Sequence, residues 1–136
     1  PGTARPVDGA VRAVLDTSVV IATDISQLPG ELAISAVTLA ELHFGVLVAQ
    51  EQNVRAERLR RLSILHREFD ALPLDAAVAA SYGQLAAAVV DAGRQPRARA
   101  FDLLIAATAH AHSARLYTRN ASDLVGADSL IEVVAV

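Results

Sequence analysis

One stretch near the amino end, Val14-Leu15-Asp16-Thr17-Ser18-Val19-Val20-Ile21, constrains the fold more than any other. A short apolar run that breaks on an acid and a hydroxyl pair, then resumes, reads as a buried strand ending at Asp16, with Thr17 and Ser18 turning the chain into a first helix. In open α/β sheets ligands gather outside the carboxyl ends of the strands, so an acid at that point faces the expected site. Asp is also a good helix cap. Asp16 alone is therefore compatible with either use, and the other acids of the chain have to decide between them.

Length and composition narrow the setting. With 136 residues, 53% of them hydrophobic and 20% charged, the chain is expected to form one compact domain over residues 11–136, preceded by a loose lead-in at 1–10 that is rich in glycine and proline. Cysteine is absent, which removes disulfides and thiolate zinc sites and is compatible with a cytoplasmic location. Glu41, Asp102 and polar turns interrupt the apolar stretches before they reach membrane-spanning length, so no membrane association is expected. The net charge of -3 argues against a protein that coats nucleic acid over its whole surface, while leaving room for a local basic patch. All 12 cationic side chains are arginines, and the lack of lysine eliminates Schiff-base chemistry and the phosphate-gripping P-loop.

Along the chain, Val11–Leu15 is expected as a strand, Thr17–Ala22 as a short helix and Leu32–Ile34 as a second buried strand. Ser35 offers an N-cap for a helix from Val37 to about Gln50, apolar on nearly every side and so expected to pack on more than one face. Glu41 falls in its middle; a solvent-facing glutamate is the plain alternative, but the apolar surroundings leave little room for a wet face, and a partly buried carboxylate needs a cation, a metal or a shared proton. Asn53–Phe69 reads as an amphipathic helix with Leu59, Leu62, Leu65 and Phe69 inward and its arginines, Arg58 and Arg61 among them, most simply on a solvated face laced with Glu57 and Glu68, with RNA contact as the lesser alternative. Asp75 caps a helix over 76–91 that Gly93 ends.

The loop 94–99 then concentrates Arg94, Arg97 and Arg99 beside the next acid; a solvated surface is the plain reading of them, and phosphate contact is the second that their position allows. In the helix 100–112, Asp102 sits near the start, with Ala106 and Ala109 on the same side allowing close approach of backbone or ligand. His110 and His112 are two apart and do not form an i, i+4 metal pair. Strands are expected at 115–118 and 130–134, joined by a turn in which Asn120 and Asp123 have the spacing of a helix cap.

A phospho-accepting role for Asp16, as in haloacid dehalogenase phosphatases or response-regulator receivers, needs a second acid on the same turn and a lysine, and the chain has neither there. A glycosidase pair would lack its sugar-stacking surface in a chain with 4% aromatics and no tryptophan. Three acids from a strand end, a helix and a helix start, with a fourth after the third strand, suit a hard divalent cation held by carboxylates and water. Such an ion relieves their repulsion and can activate water against a phosphodiester.

The segments Val14-Leu15-Asp16-Thr17-Ser18, Ser35 to Leu42, Phe101 to Ala109, and Leu116 to Asn120 with Asp123-Leu124 follow in that order and together resemble the PIN-domain endoribonucleases, most closely the VapC toxins of bacterial VapBC pairs. The resemblance covers essentially the whole chain from Val11. It implies an α/β domain with a central, mostly parallel sheet of four to five strands flanked by helices. Asp16, Glu41 and Asp102 are then the acids of an Mg²⁺ or Mn²⁺ site, with Asp16 and Asp102 binding most directly and Glu41 placing a water or second ion. The family's fourth acidic position is Asn120 in this chain, with Asp123 close by, so Asp123 joins the catalytic set and Asn120, Thr118 and Ser18 support it. Arg97, Arg99 and Arg119 would meet RNA phosphates.

By the same resemblance the chain is a toxin that cleaves structured cellular RNA at single-stranded loops, forms a homodimer and is neutralised by a VapB-type antitoxin. The competing readings are a PIN-like module that binds RNA or protein without cutting, and a housekeeping RNA-processing nuclease.

Overall fold

A computed structural model describes residues 12–22 and 24–136. The lead-in expected at 1–10, and Val11 at the start of the first strand, lie outside the described residues. The elements in chain order are β1 (Arg12–Leu15), α1 (Thr17–Ala22), β2 (Glu31–Ile34), α2 (Ala36–Val48), α3 (Gln52–Glu68), α4 (Ala76–Asp91), α5 (Ala100–Ala111), β3 (Arg115–Thr118) and β4 (Val133–Ala135). Short 3₁₀ turns at Pro96–Arg99, Ala121–Leu124 and Ala127–Ser129 complete the connections that matter for the site.

The four strands form one parallel sheet in the order β2-β1-β3-β4. Central β1 is apolar on both faces because both are covered. Val14 and its register partner Leu116 join the core beneath α4 and α5 with Leu85, Leu103 and Ile105. Ala13, Leu15 and Tyr117 point the other way, packing with Val19, Ile34 and Leu65. Each such fully buried leucine or isoleucine stabilises the fold by about 1.5–3 kcal/mol relative to exposure. The connector after α3 adds one further parallel bridge, Leu72 to Ser35, at the edge of β2.

Local signals set most helix ends. Ser35 accepts the Val37 N–H at 3.0 Å and Asp75 accepts the Val78 N–H at 3.0 Å, each satisfying a donor the helix cannot. After α5, Gly126 holds φ 101°, and a Cβ there would lie 2.9 Å from the Val89 Cα of α4. Among the described residues no helix is long and apolar enough to cross a membrane.

Three expectations are corrected. The carboxyl half of α2 is not packed all round: Phe44 and Leu47 are 66% and 75% exposed, because α3 covers only the side that carries Val46. Leu59 of α3 is likewise exposed rather than part of the inward stripe. β4 begins at Val133 rather than Leu130. The run Leu130-Ile131-Glu132-Val133-Val134 carries no period to mark its start, and Leu130 instead closes a turn by donating its N–H to the Ala127 carbonyl at 3.0 Å.

Candidate active site

The sheet order makes β1 the point where the chain's path reverses: it leaves β1 towards β2 on one side and returns to β3 on the other. A crevice therefore opens beyond the carboxyl ends of β1 and β3. Asp16 stands there. Its N–H donates to the Tyr117 carbonyl at 3.1 Å, which keeps it in the sheet, and its carbonyl accepts from Val19 and Val20 to start α1. Asp16 Oδ1 accepts from the Val19 N–H at 3.2 Å and from the Ser18 hydroxyl at 2.5 Å. Asp16 is thus both a cap and a site residue: Oδ1 is committed to α1, and Oδ2 has no such bond among the described residues.

Ser18 bridges the crevice. While donating to Asp16, its oxygen accepts the Arg119 N–H at 3.1 Å from the turn after β3. Thr17, next to it, donates to Glu41 Oε1 at 2.5 Å, with the Thr38 hydroxyl 3.2 Å from its own oxygen. The partner that Glu41 requires inside α2 is therefore a hydroxyl from α1. The hydroxyl pair after Asp16 carried the signal for this contact, although sequence reading assigned Thr17 only a turn.

Asp102, half-buried in the first turn of α5, completes the acidic group. Burial pushes its carboxyl above the usual aspartate range, and the charges of Asp16, Glu41 and Asp123 push it further, opposed by Arg99. Asp123 itself pairs with Arg99 at 3.2 Å. The capping arrangement expected from Asn120 and Asp123 does not form: the Asp123 N–H donates to the Asn120 carbonyl, while the Asp123 side chain turns to Arg99. Asn120 is exposed, its N–H donating at 2.9 Å to the hydroxyl of fully buried Thr118. Thr118 therefore shapes the turn without reaching the crevice surface.

Arg97, Arg99, Phe101, Asp102 and Glu41 line a cavity of about 360 Å³ between α2 and the start of α5. Ala106 and Ala109, expected to leave room for a ligand beside Asp102, are fully buried in the core, where their small size lets α5 pack closely instead. His43 of α2 and His66 of α3 meet with Nε2 atoms 3.3 Å apart on the exposed faces of their helices. His110 Nδ1 lies 2.7 Å from the Ser81 hydroxyl between α4 and α5.

The donors around the crevice are oxygens, and four acids bear like charge toward one region, an arrangement that fits a hard divalent cation. Among the described residues no three acidic or histidine side chains close into a tight ligand cage.

A parallel α/β domain with a cluster of acids at its topological switch point and arginines at the rim defines a class of phosphate-directed proteins rather than one member. The family is given by sequence: a model described as PIN domain matches residues 13–122, and the chain belongs to that family. It is similar to Ribonuclease VapC5 of Mycobacterium tuberculosis, 38% identical over 79% of this chain and 82% of that protein. Ribonuclease VapC8 of the same species is 39% identical over 71% of this chain and 88% of its own length.

Among solved structures, a member of the VapBC family of toxin-antitoxin systems, VapBC-5 from Mycobacterium tuberculosis, superposes with a TM-score of 0.77 at 34% identity, covering 93% of this chain and 99% of that one. FitAcB from Neisseria gonorrhoeae gives 0.71 at 31% identity, covering 90% and 96%.

Proposed function

We propose that this chain is the toxin of a type II toxin-antitoxin pair, a divalent-metal-dependent endoribonuclease that cuts structured cellular RNA at unpaired loops in the cytoplasm. The observation that carries the reading is the convergence of Asp16, Glu41, Asp102 and Asp123 on one crevice, where burial first and the neighbouring acids second raise the Asp102 carboxyl, in a chain similar to proteins named ribonucleases. Asp16 and Asp102 would hold Mg²⁺ or Mn²⁺, with Asn120 and Asp123 completing the shell around it. When bound, such an ion supplies an activated water and stabilises negative charge on the phosphodiester in transit.

The chain's own residues do the rest. The Ser18 hydroxyl and the α1 amide fix the Asp16 carboxylate by holding one oxygen, and Thr17 holds Glu41 so that its carboxylate can orient the attacking water and take its proton. Arg97 and Arg119 bind flanking phosphates. Arg99 joins them by exchanging Asp123 for phosphate, an exchange made easier by the half-exposed guanidinium.

A VapB-type antitoxin is the expected partner, together with a second copy of the chain. The exposed apolar residues Phe44, Leu47 and Val48 on α2 support a covering protein surface. Light scattering of the purified protein, alone and with the product of an adjacent antitoxin reading frame, tests both associations.

The deciding experiment is cleavage of a pool of structured cellular RNAs with Mg²⁺ or Mn²⁺, with EDTA, and with Asp16→Asn. Discrete cuts that need metal and vanish in a folded variant are expected. Binding without cutting by the folded, antitoxin-free protein would replace the nuclease with a non-catalytic RNA-binding module.

A further inference from the structure

Glu41 lines a second cavity as well as the first. This one, about 400 Å³, lies between α1, α2 and α3 and is walled by Thr17, Ile21, Gly45, Arg58 and Arg61. Arg58 and Arg61 are three apart and share a face of α3. Arg58 Nη1 donates to the Gly45 carbonyl at 2.7 Å, which pins the guanidinium across α2. A Cβ at Gly45 would lie 4.0 Å from Nη1, in ordinary contact with the guanidinium, so the seat of Arg58 does not depend on glycine there. Arg60, in contrast, is tied to Glu57 on the outer surface. Two cations thus face a cavity next to the acids, on the side away from Arg97 and Arg99.

In the first cavity, Phe101 precedes Asp102 and is 57% exposed. It is one of only three phenylalanines in the chain. A phenylalanine left in water at the rim of an arginine-lined cavity offers a flat face with cations close by. Cationic tracks with an aromatic platform bind unpaired nucleic acid, because every base has a stacking face and the backbone supplies phosphates at intervals. A duplex keeps those faces inside its own stack.

The geometry points to one continuous track for an unpaired RNA strand across Glu41, with a base stacked on Phe101 at one end and phosphates held by Arg58 and Arg61 at the other. The inference rests on the nuclease reading above. It adds that the strand is engaged on both sides of the cut and that Phe101, Arg58 and Arg61 are substrate-binding residues.

Fluorescence anisotropy tests it, using Asp16→Asn protein so that RNA stays whole, a labelled unpaired oligoribonucleotide and the same sequence as a duplex, at several salt concentrations. Replacing Arg58 and Arg61 together by Gln is expected to weaken single-strand binding about tenfold. It should also reduce the slope of log affinity against log salt by about 1.4, since each phosphate contact on a single strand contributes about 0.7. Phe101→Leu is expected to weaken binding about tenfold with the slope unchanged, and Phe101→Trp to retain it.

Unchanged affinity in the double variant or in Phe101→Leu overturns the track, as does tighter binding of the duplex. If light scattering shows instead that Phe101→Asp splits a dimer while Phe101→Leu binds RNA normally, Phe101 belongs to a contact between copies and the track is refuted. Cleavage by the wild type, run in parallel, separates the failures. Cutting combined with insensitive variants refutes the track alone, and neither cutting nor binding refutes the nuclease reading with it.

Discussion

Replacing Ser18 by Ala removes one hydroxyl that holds two parts of the crevice together. One bond lost is the 2.5 Å donation to the Asp16 carboxylate, and the other is the 3.1 Å bond accepted from the Arg119 N–H. Bonds to a charged partner contribute about 1.5–3 kcal/mol and neutral ones about 1 kcal/mol, but the sum overstates the cost here. Asp16 Oδ1 keeps the Val19 N–H, and the Arg119 amide is exposed enough to be rehydrated. About 1–2 kcal/mol of stability is therefore expected to go. For a chain of 136 residues that lowers the melting temperature by about 4–7 °C.

Function should suffer more than stability, because the freed carboxylate can rotate. Supporting groups around metal ligands commonly govern about 10–100-fold in metal affinity or activity. Ser18→Thr, which restores a hydroxyl, separates loss of the bond from loss of the fold. Urea unfolding with EDTA, together with cleavage as a function of Mg²⁺ concentration, measures both effects. A Ser18→Ala protein with unchanged cleavage at limiting Mg²⁺ would show that the bridge does not orient Asp16.

Asp102→Asn should stabilise the metal-free protein at neutral pH. The folded carboxyl is raised above its ordinary value of 3.8, so on raising pH the unfolded chain releases its proton first, and stability falls from pH 3.8 upward through the folded value. Urea midpoints between pH 4 and 7 in EDTA should show this decline in the wild type and its loss in the variant; a wild type that gains stability across the window while the variant does not refutes the assignment. Gly126→Ala combines a φ of 101° with a Cβ 2.9 Å from the Val89 Cα, backbone that cannot step aside, so a loss of about 2–5 kcal/mol is expected and a change under about 0.5 kcal/mol in urea would contradict the packing. Arg99→Gln breaks a partly exposed pair and should shift stability by no more than about 1 kcal/mol while weakening RNA binding and its salt dependence; a larger unfolding effect would give Arg99 a structural role.

The helices were the most legible part of the chain. Ser35 and Asp75 mark their starts with side chains that do local work, and the structure begins α2 and α4 directly after them. β4 was less so, because an apolar run without a period fits several registers and only the partner strand selects one. The acids were legible as a set in their order along the chain, although Asp16 by itself read equally well as a helix cap, but their partners were not. Thr17 reaches Glu41 across 24 positions and Arg119 reaches Ser18 across 101, distances at which no local pattern carries information. The cavity at Arg58 and Arg61 was hidden for a related reason: on α3 they look like Arg60, and only the position of α2 distinguishes arginines facing a cavity from one facing solvent.

The same topology that assembles the acids also explains why they remain neighbours. Asp16 is held by the sheet through its amide and by α1 through its carboxylate, so it cannot swing away from Asp102 without breaking the cap that begins α1. Glu41 is held by Thr17 of that same helix. Repulsion at the crevice is thus opposed by bonds that the fold needs in any case, and α1, six residues long and far too short to be stable by itself, is the piece on which both sets of forces act. A ligand that neutralises the acids would relieve α1 and tighten it, whereas removal of such a ligand would leave it the first helix to loosen. Hydrogen exchange at the Val19 and Val20 amides, with Mg²⁺ and with EDTA, reads this directly: protection is expected to rise with the cation, and equal protection in both conditions would break the link between the charge of the site and the order of α1.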